Sequence, residues 1–231
     1  MTLTDLDRRG LLTGAVILSA ASAASSAFAA SPPPAVAFTG KPLPFDPTTI
    51  TGFSDKLLIS HHDNNYMGAV KRLGAIEAAI NGLDLATAAG FTLNGLKREE
   101  LIAWNSMILH EIYFTGLGAP SQPGAKLAAA LERDFGSQAK WAAQFSAMGK
   151  ALGGGSGWVV LNYSHRDGRL VNQWANDHTM TLADATPVLV MDMYEHAYAI
   201  DYGAKAGAYV DAFMKIINWR AAEARFARAA G

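Results

Sequence analysis

The chain contains no cysteine. That excludes a disulfide framework, a thiolate nucleophile and a cysteine-type zinc site, so any metal must be held by histidine, aspartate or glutamate. Charge is sparse as well: charged residues are 17% of 231, the formal net charge is −1, and no long basic run occurs. A nucleic-acid footprint would need clustered lysine and arginine, so that class is set aside. Proline is scarce after Pro47; most of it lies between Pro32 and Pro47, which reads as an extended lead-in with little helix. What the chain does have is apolar mass. Hydrophobic residues make up 50% of it, enough to bury one sizeable core or two small ones sharing an interface.

The first residues read as an address and are set apart from the fold. Arg8-Arg9-Gly-Leu-Leu12 opens an apolar stretch running to about Phe28, and Ala27-Phe28-Ala29 offers small residues where a signal peptidase needs them. The paired arginines suggest the twin-arginine type. Residues 1–29 are therefore expected to be an export signal, and the mature protein to be periplasmic or secreted. Because the stretch is rich in Ala, Ser, Gly and Thr, no stable membrane anchor is expected.

Residues 30–53 form the lead-in. From about Ser54, Leu57, His61, Val70, Leu73 and Ile76 recur near helical spacing, and the run carries to about Ile80. Gly82, Gly90 and Gly95 interrupt the next stretch, and Lys97 to Leu117 is helical again. Residues 54–118 thus read as an N-terminal helical hairpin domain. Residues 119–231 read as a C-terminal α+β domain. Two shorter helices (Ala125 to Phe135 and Ser137 to Met148) precede strands at Trp158 to Tyr163, Leu170 to about Trp174, and Pro187 to Met191. Asp167-Gly168 supplies a two-residue hairpin turn. A helix is expected from about Ala197 to Ala230. The fold class is α+β: a helical hairpin, then a three-stranded antiparallel sheet flanked by helices.

The chemistry concentrates in Asp192-Met-Tyr-Glu-His196-Ala-Tyr198, directly after the apolar run Pro187–Met191. A buried strand ending in a carboxylate, with a histidine four residues on, offers two ligands on a rigid support, and such donors suit iron, manganese or zinc. His61 and His110, far upstream, are available to complete the set.

Taken in order, these pieces resemble the iron/manganese superoxide dismutases from about Ser54 to Trp219. The matching segments are His61-His62, His110 with Tyr113-Phe114, Arg133-Asp-Phe-Gly-Ser137, Gly155-Ser-Gly-Trp158, Asp192-x-x-Glu195-His196-Ala-Tyr198 and Ile217-Asn-Trp219. The resemblance implies that His61, His110, Asp192 and His196 hold one Fe or Mn ion per subunit, together with a solvent molecule. It implies superoxide as substrate, converted to oxygen and hydrogen peroxide in two one-electron steps that need a redox metal. It also implies a homodimer, in which Glu195 bonds the partner's His196. Trp158, Trp174 and Phe114 would be wall or core around the site, with Tyr194 where the family has tryptophan.

The departures from the family pattern cluster around the metal. His178 stands where the manganese type places a solvent-bonding glutamine, and is assigned that outer role; Asn105, at the iron-type glutamine position, is too short for it. The gateway positions hold Asn65, Ala69 and Ala199. Tyr66 or Tyr198 is left to substitute, and Tyr66 is the catalytic candidate. Lys71, Arg72 and Lys205 are candidates for steering the anion; His62 and His165 are assigned to packing and surface. The missing gateway motivates an alternative function, a metal-binding dimer without dismutase activity that works in metal handling or as a peroxidase-like enzyme.

Overall fold

Ser54 starts the helical part: its hydroxyl accepts the Leu57 N–H at 3.0 Å, capping α1 (Asp55–Ser60). The computed structural model describes residues 37–231; the stretch expected to be an export signal, 1–29, and the first part of the lead-in lie outside the described residues. After α1 the helix widens into a π-helical turn, His61–Tyr66, before returning to α-helix in α2 (Met67–Asn81). One helix was expected over this stretch. The wider turn carries His61 and His62, both buried, and π-turns inside helices are frequent at functional sites.

The second long helix, α3 (Gly90–Thr115), begins earlier than the expected Lys97. Gly95 is absorbed into it, since an isolated glycine costs a helix only about 1 kcal/mol. The shorter α4 (Ala125–Phe135) stops at Gly136, whose φ of +82° is left-handed and suited to glycine. Ser137 caps α5 (Gln138–Ala151) through the Lys140 N–H at 3.0 Å.

The sheet has the order β2-β1-β3, all antiparallel, from β1 (Trp158–Ser164), β2 (Arg169–Ala175) and β3 (Ala185–Asp192). Trp158 lies opposite Ala175 on one side and Asp192 on the other, so one sheet end gathers the tryptophan and the carboxylate. The register shifts between Leu161 and Asn162, a bulge that lets the longer β3 pair along β1. Trp174 corrects the expectation of a wall residue. It lies one residue from the end of edge strand β2 and is 48% exposed, whereas Leu170 and Ala175 are that strand's buried residues.

The single closing helix expected from Ala197 to Ala230 is three. They are α6 (Ala199–Tyr202), α7 (Ala206–Phe213) and α8 (Trp219–Ala230), preceded by a short 3-10 turn, Glu195–Ala197. Gly203, at φ +54°, breaks the run, and Asn218 recaps α8 through the Ala221 N–H. The break lets α7 lie on α5 while α8 crosses α4 and β3.

One hydrophobic core runs from Leu57 on α1 through Tyr113 on α3 and the whole of β1 and β3 to Phe226 on α8. Leu117 and Ile217 form an isolated antiparallel bridge that ties the end of the hairpin to the last helical segment. The site lies where α1–α2, α3 and the end of β3 meet. No helix among the described residues is long and apolar enough to cross a membrane.

Candidate metal centre

Asp192 sits at the last position of β3 with no exposed surface. One carboxylate oxygen, Oδ1, accepts the Tyr194 N–H at 2.8 Å, an Asx-type contact that fixes the side chain. The Asp192 carbonyl accepts the Tyr209 hydroxyl at 2.7 Å. The other oxygen, Oδ2, is left facing three imidazoles: His61 Nε2 at 3.1 Å, His196 Nε2 at 3.2 Å and His110 Nε2 at 3.5 Å. The four donor atoms all lie within 4.8 Å of one another. Residues 61, 110, 192 and 196 are thereby brought into one cluster from three parts of the fold.

One imidazole of this cluster presents a lone pair, and not a proton, to the carboxylate. His110 Nδ1 is 2.6 Å from the carbonyl of Ser106, one helical turn back, so Nδ1 carries a proton and donates it. Burial, reinforced by the neighbouring His61, pushes the His110 pKa down to about 3, so the ring is neutral near pH 7. Its Nε2 is therefore a bare lone pair, aimed at the Asp192 oxygen and 3.5 Å from His196 Nε2. Burial disfavours an ionised Asp192, yet His196 and His61 outweigh it and hold the carboxyl well below its ordinary range. A buried His110 lone pair set against the Asp192 anion is repulsive, and a metal cation between them turns the repulsion into coordination. Three imidazole nitrogens and one carboxylate oxygen suit Fe or Mn.

Known proteins resemble this chain over most of its length. Residues 123–225 match the family model for the iron/manganese superoxide dismutase C-terminal domain. A superoxide dismutase [Fe] from Cupriavidus metallidurans is 66% identical over 189 residues, covering 82% of this chain and 96% of the relative. The chain belongs to the iron/manganese superoxide dismutase family. More distant relatives carry either metal in their names. A superoxide dismutase [Fe] from Aquifex pyrophilus is 31% identical over 191 residues (79% of this chain, 88% of the relative). A superoxide dismutase [Mn] from Halobacterium salinarum is 31% identical over 201 residues (82% of this chain, 94% of the relative).

Around the cluster, this dismutase builds an aromatic wall. Trp158 meets the His110 ring edge-on at 5.1 Å, and Phe114 lies 5.0 Å from the His61 ring. Tyr194 stacks between two imidazoles, His178 at 4.7 Å and His196 at 5.4 Å. The wall shuts water from three members of the cluster: the His61, Asp192 and His110 side chains are 0%, 0% and 1% exposed. His196, at 24%, is the open one, so approach to the centre runs past its ring. Glu195 beside it is exposed on the surface of the subunit.

His178 is held from two directions. Its Nδ1 accepts the Trp158 indole N–H at 2.9 Å, and its carbonyl accepts from Asn105 Nδ2 at 2.6 Å. Burial lowers its pKa, so the neutral ring carries its one proton on Nε2, a donor with no partner among the described residues. Its ring centre is 6.4 Å from that of His110.

Tyr66 is placed differently from the expectation of a catalytic gateway. Its hydroxyl accepts the Lys41 N–H at 2.7 Å and donates to Glu111 at 3.1 Å, while its ring packs on His62 and Phe114. The widened turn sends it toward the lead-in, away from the four converging atoms. Tyr198 is buried against Tyr209. Arg72 is tied to Glu99. His62 bonds Asp63 and the Lys41 carbonyl, and His165 bonds Thr186.

The Ser106 carbonyl and the Tyr209 hydroxyl were not anticipated as parts of the site. The first was findable, since a histidine four residues along a helix faces that carbonyl. The second comes from α7, and no local signal links it to Asp192.

Proposed function

We propose that this protein is an exported, homodimeric superoxide dismutase that works with iron held by His61, His110, Asp192 and His196. The observation that carries the reading is the buried His110 lone pair and Asp192 carboxylate, gathered with two further imidazoles so that the four donor atoms lie within 4.8 Å of one another. The ion supplies the one-electron redox couple that protein side chains lack. Iron in preference to manganese rests on the 66% identical relative, which is named as an iron enzyme.

The residues then divide the work. Tyr194 N–H and Tyr209 hold Asp192 from behind, and the Ser106 carbonyl holds His110, so these two ligands keep their aim without reorganising. The aromatic wall excludes bulk water and leaves superoxide a way in past His196. His178, its ring centre 6.4 Å from that of His110, keeps an Nε2–H with no partner among the described residues, and such a donor orients a small anion or solvent molecule and passes on a proton as peroxide forms. With Asn65, Ala69 and Ala199 at the gateway positions, His178 is the positioned donor that the wall retains. The exposed Glu195 next to His196 supports the dimer: in the isolated subunit it meets no ligand histidine, and a second copy brings one.

The test is superoxide decay by pulse radiolysis on metal-analysed mature protein, wild type beside Asp192→Ala. Fast decay that scales with bound iron and disappears with the metal in the variant is the expected result. A bound ion with decay no faster than buffer would overturn the dismutase and leave a metal-binding dimer.

A further inference from the structure

A cavity of about 590 Å³ opens beside the lead-in, and none of the four clustered metal residues lines it. That volume is ordinary for a small-molecule site. One wall is apolar, formed by Leu43, Ile112 and Phe114; the other carries Arg225 and Arg228 from α8. Arg225 is half-buried. Its guanidinium reaches the Val188 carbonyl at 3.3 Å, the Ile112 carbonyl at 3.5 Å and the Thr115 hydroxyl. These neutral acceptors fix the group without balancing its charge, and they leave some of its five N–H donors unused.

The charge is in excess as well as desolvated. Among the described residues, neither arginine forms an ion pair. Burial, with Arg228 nearby, lowers the Arg225 pKa to about 10. The one carboxylate in the wall, Glu111, is engaged by the Lys41 ammonium and by the Tyr66 hydroxyl at 3.1 Å. The lead-in residues 30–36, Ala-Ser-Pro-Pro-Pro-Ala-Val, contain no acid and so bring no counter-charge. Two guanidinium groups at one end of an apolar cavity match an anion with an apolar body, and guanidinium recognises carboxylate through paired N–H donors.

We propose that this cavity is a binding site for an organic carboxylate of medium length, its head on Arg225 and Arg228 and its body against Leu43, Ile112 and Phe114. Phe114 also packs on His61 and His110, with ring centres 5.0 and 6.2 Å away, so an occupant touches the wall of the metal centre without entering it.

The test is calorimetric titration of octanoate into the metal-loaded full-length protein, with octan-1-ol as the uncharged control. The expected result is one site per chain with a Kd below about 1 mM, and octanol binding weaker by roughly tenfold or more. Arg228→Gln, at an exposed position, and Arg225→Gln are each expected to weaken octanoate by a similar factor. If Arg225→Gln fails to fold, as judged by circular dichroism, Arg228→Gln decides alone. No saturable heat, equal binding of octanol, or unchanged affinity in Arg228→Gln would each overturn the proposal.

Discussion

Trp158 donates its indole N–H to His178 Nδ1 at 2.9 Å, and this one bond places the hydrogen of the neutral imidazole on Nε2. Replacing Trp158 by Phe keeps an aromatic wall but releases the imidazole to either tautomer. Turnover is expected to fall by about 10-fold or more with metal content unchanged, because lost outer contacts typically cost that much. His178→Gln keeps an N–H donor and should retain more activity than His178→Ala. Equal loss in both variants would show that the donor is irrelevant.

Removing the metal should make the protein acid-sensitive. The unfolded chain takes up a proton on His110 near pH 6.5, whereas the folded, metal-free chain resists until about 3. Between those values the unfolded state binds more protons, so folded stability drops as pH falls, by up to about 1.4 kcal/mol per pH unit for one such group. Asp192, held below its ordinary 3.8, adds a second loss only at pH values under that figure. Urea denaturation of chelated protein at pH 7.5 and 5.5 checks the sign; a flat or rising stability toward acid would refute it.

Gly157→Ala should damage the fold at the point that seats Trp158. A Cβ there would lie 2.1 Å from the Ala175 carbonyl oxygen, and φ is +136°. Backbone atoms on a paired strand cannot step aside cheaply, so a cost of about 2–4 kcal/mol is expected. A thermal midpoint within a degree or two of wild type would contradict this.

Glu195→Ala should loosen the proposed dimer. Light scattering across a dilution series is expected to show subunits separating at concentrations where the wild type stays paired. Identical mass curves would place Glu195 outside the interface.

In the cluster, Asp192 and His196 were legible from a local pattern, a carboxylate at a strand end and a histidine four residues later, whereas His61 and His110 were reached only through the family resemblance. The sheet was legible too, since Asp167-Gly168 and the apolar runs fix strands within a few residues. The widened turn at His61–Tyr66 was not, because π and α helices share the same apolar spacing over so few residues, and the misplacement of Tyr66 followed from that. Nor was the division of the closing helix. Ala-rich sequence around Gly203 reads as continuous helix, and only the packing of α7 on α5 and α8 on β3 requires the breaks. Trp174 was misread because bulk and hydrophobicity do not reveal how much of a side chain near the end of an edge strand is covered.

The cluster joins positions 131 residues apart, His61 and Asp192, behind a wall that leaves their side chains no exposure. An ion held there is a clasp across most of the mature chain. Past the His196 ring superoxide has a way in, but an ion leaves its ligands only when part of the wall opens. On the proposed export route, a chain that closed around its ion before crossing the membrane would carry the cytosol's choice of metal to the place where it meets superoxide.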